Sequence, residues 1–159
     1  MICTKEKDVK EKQDLVKIFE FEDLIMGLRA DGIIHTYVKS EAVVNKQMQL
    51  NIIHSIIELK NGDQRKYPAI VEFGEFISIA DDVVQHTELP FKDHVLSISM
   101  YAKNMADRIL AKYYTNRFKT SSRFVIFGVF EEAVQYSYDK MKEAGMRFNP
   151  IYPASHKEY

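Results

Sequence analysis

The chain has 159 residues, 46% of them hydrophobic, and its 22 Lys and Arg set against 23 Asp and Glu leave a formal charge of -1. A chain of this size fits one domain that buries roughly two thirds of its unfolded surface, so no disulfide or metal staple is needed. The charge balance excludes the global electrostatic footprint of a non-specific nucleic-acid binder, the single Cys3 excludes an internal disulfide and fits a reducing compartment, and no apolar run approaches the roughly 18 residues of a membrane span.

Residues 1–14 alternate charges around Ile2 and Val9, with none of the roughly 7 to 15 apolar residues that a secretion signal needs. They read as a charged, flexible leader, and a cytoplasmic location is the default expectation. From Leu15 the pattern becomes alternating, with Val16, Ile18, Phe19 and Phe21 set among Glu20 and Glu22, and a second apolar run follows from Leu24 to Leu28. A third, Ile33 to Val38, lies beyond Ala30-Asp31-Gly32. Asp-Gly between apolar runs predicts a hairpin, because the turn needs a positive φ that glycine supplies without steric cost. The first third is therefore read as a small antiparallel unit.

Val44, Met48, Ile52, Ile53, Ile56, Ile57 and Leu59 recur at helical spacing, and Asn61-Gly62 supplies the left-handed stop. The stretch from Pro68 to Phe73 is almost continuously apolar, as a strand covered on both faces is. After Gly74 a short helix is predicted over Ile79 to Val84, ending before Leu89-Pro90. A longer one is predicted from about His94 to Tyr114, with Val95, Ile98, Ala102, Met105, Ile109 and Tyr113 sharing its apolar face. Arg123 to Val129 reads as another buried strand, and Phe130 to Ala144 as the last helix, stopped by Gly145. Residues 146–159, with Pro150 and Pro153, are expected to be irregular. The resulting order predicts an α/β domain over residues 15–145: a mixed sheet with an N-terminal antiparallel hairpin, right-handed parallel crossovers and helices packed on it.

Three segments taken together, Ile18 to His35 (IFEFEDLIMGLRADGIIH), Glu72 to Phe76 (EFGEF) and Ala102 to Tyr114 (AKNMADRILAKYY), resemble a bacterial family, found mainly in Bacteroidetes, that is related to the STAS (anti-sigma-factor antagonist) and SEC14-like α/β proteins. The resemblance covers roughly residues 18 to 144. It implies a STAS-like domain with a four- or five-stranded sheet backed by helices, and no cofactor. In anti-sigma-factor antagonists the loop after the central strand leads into a helix whose N-terminal serine, within an Asp-Ser-Ser-Gly type sequence, is phosphorylated. The comparable region here is Gly74 to Asp81, where Ser78 supplies the one hydroxyl and the Ser-Gly context is absent. Ser78 is thus the candidate phosphosite implied by the resemblance.

Read from its own neighbours, Ser78 followed by Asp81 has the spacing of a helix N-cap worth about 1 kcal/mol. Glu72 and Glu75 flank Phe73-Gly74 at the carboxyl end of the central strand, where open α/β sheets bind ligands; Gly74 is read as a hinge at positive φ. His35, His54, His86, His94 and His156 are spread one per element, and although His54 and Glu58 share a helical turn, no metal-ligand spacing supports them. No Gly-x-Ser-x-Gly elbow, Cys-His pair or phosphate-cradling glycine loop is present, so no enzyme activity and no metal are expected. Arg108, Lys112, Arg117, Lys119 and Arg123, interleaved with Tyr113, Tyr114 and Phe118, form a candidate anion-binding patch; cations at a helix C-terminus also complement its dipole.

The expected function is a non-enzymatic STAS-like regulatory or protein-interaction module. Its surface comprises Glu72, Gly74, Glu75, Phe76, Ser78 and Asp81 with the adjoining long helix, and it takes a protein partner or a second copy as a homodimer; no specific nucleic acid is expected. The alternative, from the SEC14 side of the resemblance, is a binder of a small apolar or lipid ligand between helices and sheet, entered near Phe76, Leu89 and Phe91.

Overall fold

A computed structural model describes residues 15–83, 91–117 and 124–151. Three antiparallel strands open it: β1 (Leu15–Glu20), β2 (Leu24–Arg29) and β3 (Ile34–Val38). The predicted turn between β2 and β3 closes through Arg29 N–H to the Ile33 carbonyl at 2.8 Å, with Gly32 at φ 87°. A two-residue strand β4 (Val43–Val44) precedes α1 (Lys46–Lys60). Asn45 caps α1 by accepting from Met48 N–H at 2.8 Å, and Asn61 ends it at φ 46°, the left-handed residue that a helix C-terminus favours. Strand β5 (Tyr67–Phe73) follows, then β6 (Ser78–Ile79), a helical turn at Phe91–His94, β7 (Val95–Tyr101), α2 (Met105–Arg117), β8 (Phe124–Phe127) and α3 (Phe130–Glu143).

The main sheet has six strands in the order β1-β2-β3-β5-β7-β8, and β3, β5, β7 and β8 are mutually parallel. The mixed α/β architecture with its antiparallel N-terminal hairpin is as the residue pattern predicts. The sixth strand corrects the helix expected from His94 to Tyr114: Val95–Tyr101 is β7, hydrogen-bonded between β5 and β8, and the helix starts only at Met105. Val95, Ile98 and Ala102 fit a helical face by spacing alone; pairing on both sides decides for strand. Asn104 marks the true start, accepting from Asp107 N–H at 2.8 Å as N-caps do. The short helix expected over Ile79 to Val84 is also absent as far as Val83. Ser78 and Ile79 instead pair in parallel with Val43 and Val44, and the chain then turns at Asp81 and Asp82.

The pleat sorts side chains to two faces. Ala69 and Phe73 of β5 join Met26 of β2 and Ile98 and Met100 of β7 beneath α1 and α2, packing on Met48, Ile53, Ile56, Leu59, Ala111 and Tyr114. Ile70 points the other way, into Ala133, Val134, Tyr138 and Met141 of α3. β5 is therefore covered on both faces, and each fully buried aliphatic chain such as Ile70 contributes about 2 kcal/mol. Among the described residues no helix is long and apolar enough to cross a membrane. Of the C-terminal tail, residues 146–151 lie along α3, with Phe148 stacked on Tyr138 at 4.8 Å and Ile151 N–H donating to the Tyr138 hydroxyl at 3.0 Å. The leader 1–14 with Cys3, together with His86, Leu89, residues 118–123 and 152–159, lies outside the described residues.

Candidate interaction face

The segment after β5 is held by the segment after β3. Gly74 N–H donates to the Val38 carbonyl at 2.7 Å, Glu75 N–H to Ser40 Oγ at 3.0 Å, Glu41 N–H to the Glu75 carbonyl at 2.7 Å and Ala80 N–H to the Val44 carbonyl at 2.8 Å. Gly74 is buried, and its φ is not among the positive ones. Glycine is required there by proximity: a Cβ would stand 2.5 Å from Ser40 N and 2.9 Å from Ser40 Cα. The positive φ expected at Gly74 occurs two residues later, at Phe76, with φ 58°. A bulky residue in the left-handed region costs on the order of 1 to 2 kcal/mol.

That backbone holds Phe76 out at 82% exposure. Beside it runs a groove of about 440 Å³, with Glu75, Phe76 and Ile77 as one wall and Asn104, Ala106, Asp107, Ile109, Leu110 and Tyr113 as the other. The outer side of α2 continues the apolar surface, Met105 at 67%, Ile109 at 63% and Tyr113 at 48% exposure. These three were expected on the buried face of their helix. The assignment inverts because the helix begins after β7, so that Ala111 and Tyr114 turn to the core. The spacing of Met105, Ile109 and Tyr113 was legible; which side of the helix met the sheet was not.

Residues 26–139 match the family model described as Domain of unknown function (DUF7793). The chain belongs to the DUF7793 family. No curated protein and no solved structure gives a significant match. The matched span runs from within β2 to within α3 and so includes Phe76, its groove and α2.

The surface expected in this DUF7793 domain is divided by the fold. Glu75, Phe76, Ser78 and Asp81 are exposed, whereas Gly74 is sealed under Ser40 and Glu72 points to the opposite side of the sheet. There Glu72 lies 3.2 Å from His35 Nε2 and 3.8 Å from Lys103 Nζ. The parallel register sets Glu72 between Tyr37 and Tyr101. Arg29 Nε and Nη2 each donate to Asp31 at 3.1 Å, and Asp31 also accepts from Tyr138 Oη at 2.7 Å. Phe130 joins the two groups, its ring 5.4 Å from that of His35 and 5.6 Å from the Arg29 guanidinium. His35, one of the five scattered histidines of the sequence, is buried with Arg29, Asp31 and Glu72. The Tyr138 hydroxyl and the Phe130 ring tie α3 to this cluster, and removal of one member of the enclosed Arg29–Asp31 pair strands the other in low dielectric.

Ser78 does not cap a helix. Its N–H donates to the Ala42 carbonyl at 3.2 Å within the β4–β6 pair, while its side chain is exposed. A phosphate there would meet solvent, not a helix N-terminus. Of the basic patch, Arg108 and Lys112 are exposed on α2, and the Arg108 guanidinium lies against Gly128, where a Cβ would stand 2.5 Å from Nη2. The side chain of Arg117, and Lys119 and Arg123 altogether, lie outside the described residues, so of the five cations the structure places only Arg108 and Lys112. His54 and Glu58 are exposed on α1, and among the described residues no three His, Cys, Asp or Glu side chains converge as a metal site.

Between the sheet and the two helices α1 and α2 lies a cavity of about 70 Å³, lined chiefly by apolar side chains that include Met26, Met48, Met100, Val71 and Ile98. Gln49 Nε2 spans α1 and α2, donating to Tyr114 Oη at 3.0 Å. Burial pushes the Tyr114 phenol up to about 12, although the Gln49 bond acts in the other direction.

Proposed function

We propose that this chain is a non-enzymatic, STAS-like protein-interaction module that docks a protein through Phe76, the groove beside it and the outer face of α2. The observation that carries the reading is Phe76 itself, 82% exposed on a left-handed backbone that its hydrogen-bonded neighbours impose. Local strain and solvent-facing aromatic surface both oppose stability, and such features persist where a partner uses them. Aromatic anchors beside apolar grooves are the usual centres of binding energy at protein interfaces. The test is a photo-reactive phenylalanine analogue at position 76, with a second placed at exposed His54 on α1 as control, irradiated in the host cell. Protein adducts at position 76 that disappear when Ile109 is changed to Asp support docking; an adduct pattern identical to that from position 54, or none, refutes it.

A second reading, a small apolar ligand between helices and sheet, is favoured by the cavity bounded by Met26, Met48 and Met100. Its volume of about 70 Å³ is well below the roughly 150 Å³ that admits benzene in an apolar core, so a lipid chain would enter only after the methionines moved. Native mass spectrometry of protein purified from its host tests this: a co-purifying apolar molecule supports it, and a bare chain removes it.

A further inference from the structure

Phe76 protrudes next to a groove of about 440 Å³, ample for a phenyl ring, which needs roughly 150 Å³. Knob and socket thus share one face, as a self-complementary two-fold contact requires. The charges beside them are arranged asymmetrically. Exposed Glu75, with Glu41 bonded to its backbone, borders the loop side of the groove. At about 100° per residue, exposed Arg108 and Lys112 fall on the far side of the Met105–Ile109–Tyr113 stripe from Ala106 and Leu110, which face the loop across the groove.

We propose that the occupant of this face is a second copy of the chain, related by a two-fold axis running along α2, so that Phe76 of each copy seats on the Met105–Ile109–Tyr113 stripe of the other. The proposal rests on the docking reading above and names its partner. The charges select the axis. Rotation about a line parallel to α2 exchanges the two sides of the face and lays Glu75 of one copy against Arg108 and Lys112 of the other. Rotation about a line across α2 sets acid on acid and base on base, which opposes association. The four exposed apolar side chains Phe76, Met105, Ile109 and Tyr113 together remove on the order of 1,000 Å² from water over the two copies, the lower end for a specific interface, so the association is reversible and in the micromolar range.

Sedimentation velocity of the full chain from roughly 1 to 500 μM measures it. The wild type is expected to pass from monomer to dimer across this range, and Phe76→Asp to weaken association at least about tenfold with a monomer that melts no lower than the wild type. Glu75→Lys and Lys112→Glu are each expected to weaken it, and the double variant Glu75→Lys/Lys112→Glu to recover most of the loss. A wild type that stays monomeric, or a double charge exchange no tighter than either single change, overturns the proposal. If the protein stays monomeric while position 76 cross-links to a different protein, the second-copy assignment fails and docking stands; if position 76 gives no adduct at all, both fail.

Discussion

Gly74→Ala isolates the close approach on which the presentation of Phe76 depends. The added Cβ would stand 2.5 Å from Ser40 N, 2.7 Å from Ser40 Oγ and 2.9 Å from Ser40 Cα, where ordinary contact begins at 3.4 Å. Two of these atoms are backbone, so the strands' trailing segments must separate by about 1 Å, an overpacking cost of about 1 to 3 kcal/mol. Separation also loosens the bond from Glu75 N–H to Ser40 Oγ, now 3.0 Å, for about 1 kcal/mol more. A loss of about 2 to 4 kcal/mol lowers the melting temperature of a chain this long by roughly 6 to 12 °C. Thermal melts followed by circular dichroism measure it, with Gly62→Ala as the reference. Gly62 has φ 82° with nothing within 4 Å of its Cβ position, so that variant carries only the left-handed strain of about 1 to 2 kcal/mol. Adding Ser40→Gly to Gly74→Ala should restore part of the loss, because it removes Oγ and leaves the backbone contacts. If Gly74→Ala melts no lower than Gly62→Ala, the steric account of this glycine is wrong.

Asp31→Asn should cost about 3 to 5 kcal/mol in urea unfolding, because Arg29 stays buried without its countercharge; Tyr138→Phe, which removes one bond to Asp31, should cost about 1 to 3 kcal/mol. Equal and small losses would mean that the pair is not enclosed in solution. Tyr114 supplies a pH dependence: its pKa rises from 10.0 to about 12 on folding, so the folded state holds the proton more tightly, its contribution is complete below pH 10, and it is lost as pH climbs to 12. Wild type should therefore lose on the order of 2 kcal/mol more than Tyr114→Phe between those pH values in urea unfolding, and parallel curves would contradict the burial of the phenol. Ser78→Ala should change stability by less than about 0.5 kcal/mol, since the exposed hydroxyl caps no helix; a drop in melting temperature of several degrees would restore the capping reading.

Local chemistry made several elements legible. The Asp31-Gly32 turn, the Asn61-Gly62 stop of α1, the continuous apolar run of β5 and the span of α3 each depend on residues within one element or turn, and each stands where the pattern puts it. Ser78 had the spacing of a cap but lacked a helix to cap, because pairing with Val43 and Val44 satisfies the backbone of Ser78 and Ile79 first. Met105, Ile109 and Tyr113 read as core because the apolar side of a helix is ordinarily its inner side. Small Ala111 and the Gln49-bonded Tyr114 take that place, and the stripe is left outside.

The amino-acid sequence by itself determined the α/β class, the antiparallel start and the positions of β2, β3, β5 and α3, because backbone propensity and hydrophobic period act over a few residues. Only the tertiary structure decided that Val95–Tyr101 is a strand, that His35 meets Glu72 across 37 positions of chain, and that Phe76 is forced outward by the Ser40 loop. These depend on which distant segment supplies the hydrogen-bond partner or occupies the space, and no pattern confined to one segment carries that information.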